Sequence, residues 1–434
     1  MQLHRGQLAA LDSLVGSLDV IGGRLPKLGG NDHLEVFKKQ ILEAPHWRAL
    51  IGQAEFYEIL FHTIFEHFSA LPENYSGRLA SANEGSVSIA LKAGLVFAFE
   101  SLPRNYDLYI PLKSFQIIHQ PEILISDGIS IVDSANHPIL EPMFASSAKF
   151  ELRGLLSGIN QAPPQVVGHR FLRIRASGFG SEVPNTPAVR DAWSIAKQLA
   201  FVGIASGKLT VKHDFLFRDS SSKIVEPAIL IELWDKQLIK RINPDLEALR
   251  FFNSLSITEP IKVLDLSGTS LSSLLNAPER DATTPDDFAS AIRMRMEPAT
   301  TFIHLDTEDA APVRAAMEWF IDADSTQNET VAFLQRCIVL EAVLGSSESK
   351  RDVTERLADR YAYLVCTTAS ARDVQRKRFI DMYKHRSEIV HGRAMKLSEN
   401  HMRASRDARQ MLLQVTWKEM QNLLSNARNA QQGS

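Results

Sequence analysis

The spacing of hydrophobic residues changes period along the chain, and each change marks a different kind of element. Over residues 1–80 the period is helical: residues 34–42 are amphipathic, and residues 56–68 bring aromatic and aliphatic side chains back at a helical interval. From 81 to 280 alternation takes over. Residues 86–91 alternate, Lys92-Ala93-Gly94 reads as a turn, and residues 95–99 read as a returning strand. Residues 123–132 form the clearest hairpin, because Asp127-Gly128 readily takes the positive φ angles of a type I′ turn. Further strands are expected at residues 148–155, 171–176, 208–217, 228–234 and 261–266. One helix interrupts them. It enters at Asn185-Thr186-Pro187, a capping side chain followed by proline at the first helical position, and leaves near Gly203 or Gly207. Trp193, Ala196, Leu199 and Ala200 mark its apolar face.

A polar connection over residues 268–285 precedes a third pattern, in which only helices are expected. Thr284-Pro285-Asp286-Asp287 is a strong helix start. Helices follow near residues 288–296, 312–322, 329–344, 353–365, 373–390 and 399–426, with short polar breaks such as Gly345-Ser346-Ser347. The expected fold class is α+β: an N-terminal helical segment (1–80), a strand-rich mixed α/β sensor or regulatory domain (81–280), and a C-terminal all-α helical bundle (300–430). No repeat of fixed period and no low-complexity tract stands out.

The length of 434 residues fits two or three domains, and 44% hydrophobic with 23% charged residues is an ordinary globular balance. The first 30 residues lack a basic start followed by an unbroken apolar run, and residues 87–99 are interrupted by Lys92, so neither secretion nor a membrane span is expected. Cys337 and Cys366 are the only cysteines, which excludes a four-cysteine zinc site and favours a reducing, cytoplasmic setting. The net charge of -3 conceals an asymmetry. From Val331 onward 18 Lys and Arg face 11 Asp and Glu, leaving about +7 there and about -10 on the rest. A polyanionic partner of the C-terminal part follows from that, with a solvated helical surface as the plain alternative.

Several motif-like stretches fail on chemistry. Gly203-Ile204-Ala205-Ser206-Gly207-Lys208-Leu209 has the wrong spacing for a phosphate-binding loop and no Ser or Thr after the lysine. His62 and His67 are five apart, so they do not share a helix face as an i, i+4 zinc pair does. Gly178-Phe179-Gly180 is a weak loop signal. The C-terminal part offers more. Glu341 follows Leu334 and Cys337 and precedes Leu344 at helical intervals, and so falls on an apolar stripe, where a carboxylate needs a cation; Arg360 and Arg386 are the candidates. Arg386 itself falls among Phe379, Tyr383, Ile389 and Val390. His391 stands immediately before Gly392, which reads as the left-handed residue that ends the helix.

Residues 312–428, about a quarter of the chain, carry Trp319-Phe320, Leu340-Glu341-Ala342-Val343-Leu344, Leu357-Ala358-Asp359-Arg360 and Tyr383-Lys384-His385-Arg386-Ser387-Glu388-Ile389-Val390-His391-Gly392. In these features the segment resembles the HEPN superfamily, and within it the Apea-like branch. The resemblance implies a metal-independent ribonuclease whose composite site forms where two bundles meet in a homodimer. Arg386 and His391 would be catalytic, with Ser387, Glu341, Arg360, His385 and Tyr383 in supporting roles and Lys384, Arg393 and Lys396 on a basic RNA-facing surface. Ser387 stands where the superfamily often has Asn, Asp or His. The implied partner is RNA, with transfer RNA as one candidate; the implied setting is prokaryotic anti-phage or toxin-like defence, with a phage-derived or cellular trigger. No cofactor and no metal are expected, since attack by a ribose 2′-hydroxyl leaves a cyclic phosphate without metal help. The alternative is a non-catalytic dimerisation or RNA-binding module with ligand sensing in the N-terminal domain. Five residues of helix rotate direction by about 140°, so Arg386 and His391 of one chain point apart unless the helix end or a second copy closes the gap.

Overall fold

The computed structural model describes residues 1–22, 30–68, 71, 74–112, 120–142, 169–181, 185–211, 227–233, 239–242, 245–257, 262–264, 279–281, 284–345, 353–392 and 397–432. A mixed α/β N-terminal region is followed by an all-helical bundle. In chain order the elements are α1 (Arg5–Ser17), β1 (Asp19–Val20), α2 (Asp32–Leu42), α3 (Pro45–Arg48), α4 (Gln53–Phe68), β2 (Gly77–Arg78), α5 (Ser86–Glu100), β3 (Arg104–Pro111), β4 (Glu122–Ser126), β5 (Ile129–Asp133) and β6 (Arg170–Gly178). Then come α6 (Pro187–Ala205), β7 (Leu209–Val211), β8 (Ala228–Glu232), β9 (Ile239–Ile242), α7 (Leu246–Ser254), β10 (Leu255–Ile257), β11 (Lys262–Leu264) and β12 (Glu279–Asp281). The bundle helices are α8 (Pro285–Ile303), α9 (Ala310–Ser325), α10 (Glu329–Leu344), α11 (Val353–Val365), α12 (Ala369–Val390) and α13 (Glu399–Gln432).

By contacts the chain forms two units that interleave in sequence. The first comprises Met1–Leu108, Arg175–Asp191 and Ile229–Ile242. Its core collects Leu11, Leu14, Phe37, Trp47, Phe56 and Phe99, with Phe99 edge-on to Phe37 at 5.6 Å and to Trp47 at 5.9 Å. Here the expected hairpin at residues 86–99 is corrected to the single helix α5. Val87, Leu91, Leu95 and Phe99 recur every four residues and are all buried, whereas Ile89 and Phe97 face solvent. An alternation of six residues fits a helix equally well when every fourth side chain meets a core. Gly94 is part of that packing, since a Cβ there would lie 2.5 Å from the His67 ring. The strand residues of this unit neighbour one another in the order β6-β3-β8-β9, and Arg175 reaches Asp107 while Arg104 reaches Glu232 across adjacent strands.

The second unit comprises Tyr109–Ile174, Ala192–Ala228 and Asn243–Ser434. The hairpin at Asp127-Gly128 is present, with Gly128 at φ +72 and antiparallel β4, β5 and β6 in succession. Helix α6 begins at Pro187 as expected, and Gly207 beyond its end has φ +68. The expected strand over residues 148–155 lies outside the described residues. The chain over 208–217 and 261–266 is strand at β7 and β11 within its described part, and β8 covers the described strand of 228–234. Helix α1 falls in the expected helical segment, whereas helix α7 and strands β3, β9 and β10 have no counterpart among the expected elements. In the bundle, Thr284 and Asp287 form a reciprocal capping box at the start of α8, and Asn328 caps α10. The last helix, α13, packs against each of the other five. Among the described residues no helix is long and apolar enough to cross a membrane.

Candidate functional site

The site grows from α12. Its inward residues Phe379 and Met382 are fully buried, and Phe379 stacks on Tyr383 with ring centroids 6.1 Å apart. That stacking aims the Tyr383 hydroxyl at α10, where it donates to Glu341 Oε1 at 2.7 Å. Burial and this bond both push the Tyr383 hydroxyl above its ordinary pKa, so it stays a neutral donor. One turn further on, Arg386 Nη2 lies 3.0 Å from the same Glu341 oxygen, and its guanidinium sits 5.3 Å from the Tyr383 ring centroid. Glu341 therefore holds Arg386 in place with Tyr383 as a third member. Glu341 is half-buried rather than buried, with 31% of its side chain exposed, because its position lies at the margin of the stripe of Ala332, Phe333, Cys337 and Leu340.

Of the two cations considered for Glu341, Arg386 is the partner. Arg360 instead donates from Nη1 to the Leu344 carbonyl at 2.6 Å, closing the C-terminal end of α10. His391 caps α12: its backbone N–H donates to the Ser387 carbonyl, and Gly392 turns away at φ +67. Its ring is exposed, with no hydrogen-bond or ion-pair partner among the described residues, and no hydrogen bond joins it to Arg386. Ser387 is half-buried and offers its carbonyl, not its hydroxyl, to this cap. Lys384 is exposed on the same helix. Arg393 and Lys396 lie outside the described residues.

His385 joins a different cluster. Its Nδ1 is 3.0 Å from Glu388 Oε2, and the buried His401 of α13 brings Nε2 to 3.3 Å from that oxygen. The His385 partner and the neighbouring imidazole and lysine charges hold the Glu388 carboxyl below its ordinary pKa. Ser398, which precedes α13, stands 2.7 Å from His401 Nδ1 through its hydroxyl and donates its backbone N–H to the same nitrogen. Sequence reasoning singled out His385 but missed Glu388 and His401. The i, i+3 spacing of His385 and Glu388 was visible; the third member lies on the next helix.

Arg336 was missed as well. It is 6% exposed, and its guanidinium donates to Asp324 Oδ1 at 3.0 Å, to the Ala323 carbonyl at 3.2 Å and to Ser405 Oγ at 2.9 Å. Arg409 also binds Asp324, with Nε donating to Oδ2 at 2.7 Å and to Oδ1 at 3.0 Å. This network is the bundle's buried ionic lock and is closed to substrate. Cys337 is inert for the same reason of burial, its thiol pushed up to about 12 and directed at Met382 Sδ.

The arrangement offers an anchored guanidinium, a free imidazole at a helix end and a partly exposed tyrosine–glutamate pair, a set suited to binding and cleaving a phosphodiester. Compared with known proteins, the chain matches no family model, no curated protein and no solved structure.

Proposed function

We propose that this chain is an RNA endonuclease of HEPN type, the effector of a prokaryotic anti-phage or toxin-like defence system, governed by its N-terminal region. The observation that carries the reading is the contrast at the end of α12: Arg386 is held by Glu341 and Tyr383, while His391 is exposed and unengaged. A restrained guanidinium binds phosphate oxygens with little loss of freedom and offsets the charge that builds on them in the transition state. An exposed imidazole takes the proton of the attacking 2′-hydroxyl or returns one to the leaving 5′-oxygen. The products are a 2′,3′-cyclic phosphate and a free 5′-hydroxyl. The defence setting rests on the resemblance alone.

The helical rotation between the two residues favours a site shared by two copies, Arg386 from one and His391 from the other. Val331 and Ile338, seven residues apart on α10, leave apolar side chains in solvent where a second bundle could cover them.

One observation favours a different reading. Arg386 already has a carboxylate partner, so a phosphate must compete with Glu341, as expected if the pair serves architecture and the bundle is a non-catalytic dimerisation or RNA-binding module. Incubation of the full-length protein with total RNA and with transfer RNA in chelator separates the two, alongside Arg386→Ala and His391→Ala. Cyclic-phosphate ends made by the wild type and lost in both variants support the enzyme. RNA binding without cleavage supports the module, and cleavage that persists in both variants removes this site.

A further inference from the structure

We propose that His385, Glu388 and His401 form a binding site for one divalent transition-metal ion of the zinc class. The proposal is independent of the ribonuclease reading, because it uses neither Arg386 nor His391.

The backbone places the three ligands together. His385 and Glu388 are one turn apart on α12, and His401 is the third residue of α13. Their donor atoms all lie within 4.8 Å of one another, with His385 Nδ1 and His401 Nε2 at 3.0 and 3.3 Å from Glu388 Oε2. Tetrahedral ligands at zinc distances of about 2.0–2.1 Å are separated by about 3.3 Å, so two of the three edges already have the required length. The two imidazole ring centroids are 5.0 Å apart and the rings are inclined at 63°.

A second observation points to a ligand. His401 is only 7% exposed, and its Nε2, aimed at Glu388, is buried without a properly formed hydrogen bond among the described residues. The contact with Glu388 is an ion pair without hydrogen-bond geometry, which leaves this buried nitrogen incompletely satisfied and a cation one way to complete it. Ser398 can set the tautomer. With the Nδ1 proton donated to Ser398 Oγ at 2.7 Å, the Nε2 lone pair is bare and directed at the site, which is how metal-bound histidines are usually oriented. With Nδ1 accepting the Ser398 backbone N–H at 3.2 Å, the proton moves to Nε2 and the site is in its metal-free form. Binding of the ion thus selects one tautomer.

The donor set names the class of ion. Two imidazoles and one carboxylate suit zinc and its first-row neighbours; magnesium and calcium prefer all-oxygen shells, and cuprous copper prefers sulfur. Three protein ligands leave a coordination position open to water or an anion. The ion would also tie the last turns of α12 to the first turn of α13, on either side of the segment that begins at His391.

The test uses the full-length protein, stripped with chelator and dialysed. Titration with zinc chloride by calorimetry, and with cobalt chloride by visible absorption, reads binding directly. We expect one ion per chain at micromolar or tighter affinity, d–d bands of low-symmetry four-coordinate cobalt, and a rise in melting temperature. His385→Ala and His401→Ala should each weaken binding at least tenfold, Ser398→Ala about 10- to 100-fold, and Arg386→Ala not at all. If His401→Ala fails to fold, His385→Ala, at a side chain 26% exposed, carries the test by itself. Absence of binding by the wild type at 100-fold excess of zinc and cobalt overturns the proposal, as does zinc binding that persists unchanged in His385→Ala. Cleavage in chelator tests the nuclease and metal titration without RNA tests this site, so either can fail without the other.

Discussion

Arg386 and Glu341 meet across α12 and α10 with Nη2 3.0 Å from Oε1, and Tyr383 donates its hydroxyl to the same carboxylate oxygen at 2.7 Å. A single oxygen thus meets one hydrogen-bond donor and one cation from the same helix. This sets the direction of the guanidinium, and under the proposed nuclease function it also offers an anion that competes with the RNA phosphate.

Replacing that anion separates the two effects. Glu341→Gln keeps a hydrogen-bond acceptor and removes the charge. Because the Arg386 and Glu341 side chains are 24% and 31% exposed, the loss of stability should stay below about 1 kcal/mol. RNA should bind a few-fold more tightly to the freed guanidinium, while cleavage per bound RNA falls. Filter binding and single-turnover cleavage measure the two quantities; unchanged binding would show that Arg386 does not meet the phosphate.

A site shared between copies makes a quantitative forecast. Arg386→Ala and His391→Ala proteins, each inactive, regain activity on mixing if arginine and histidine come from different chains. Random exchange makes half the dimers mixed, each with one intact site of two, so roughly one quarter of wild-type activity should return. No recovery after demonstrated subunit exchange would place both residues in one chain.

The ionic lock of the bundle should be the more sensitive point for stability. Asp324 and Arg336 have side chains 6% and 7% exposed, so Asp324→Ala leaves a buried guanidinium without its carboxylate. The expected cost is about 3–5 kcal/mol, read as a large fall in denaturant midpoint. Arg409→Ala should cost less, because that side chain is 35% exposed and water can replace it.

Glu388 predicts how the bundle responds to acid. Its carboxyl is held below the ordinary range by His385 and His401, so folding favours its charged form. A depressed folded value means that the contribution is fully present above the unfolded carboxylate pKa, about 4.3, and is lost as pH falls through the lower folded value. Thermal melts of wild type and Glu388→Gln should therefore differ at neutral pH and converge as the pH falls below the unfolded carboxylate value and through the lower folded one. A constant gap down to strongly acidic pH would exclude a titrating Glu388 as its cause.

In the first unit, Gly94 should resist substitution. Alanine normally favours a helix over glycine by about 1 kcal/mol, but a Cβ here would stand 2.5 Å from His67 Cε1 and 3.2 Å from Thr63 Cγ2. Overpacking of this kind costs about 1–3 kcal/mol. Gly94→Ala should thus lower the melting temperature, and adding His67→Ala should restore most of it.

What the sequence determined by itself is the part of the protein written in local signals. The capping residues Thr284 and Asn328 and the prolines and polar breaks between helices act over a few positions, so α10 and α11 have the bounds that their hydrophobic period implies. The Asp127-Gly128 hairpin is legible for the same reason, since its turn needs only two residues of the right kind. Arg386 and His391 could be chosen on residue type, spacing and the closing Gly392. Tertiary structure alone decided the remainder. Residues 86–91 alternate and also repeat every four; which period prevails depends on Phe37, Trp47 and Phe56 waiting on the far side of Phe99. Glu341 had two arginines within its possible reach, and only the path of α11 and α12 gives one to Leu344 and the other to the carboxylate. Arg336 and the trio of His385, Glu388 and His401 depend on partners brought in by other helices. Hydrogen bonds and ion pairs act over about 3–4 Å whatever the separation along the chain, and a linear pattern does not encode which distant groups will come that close.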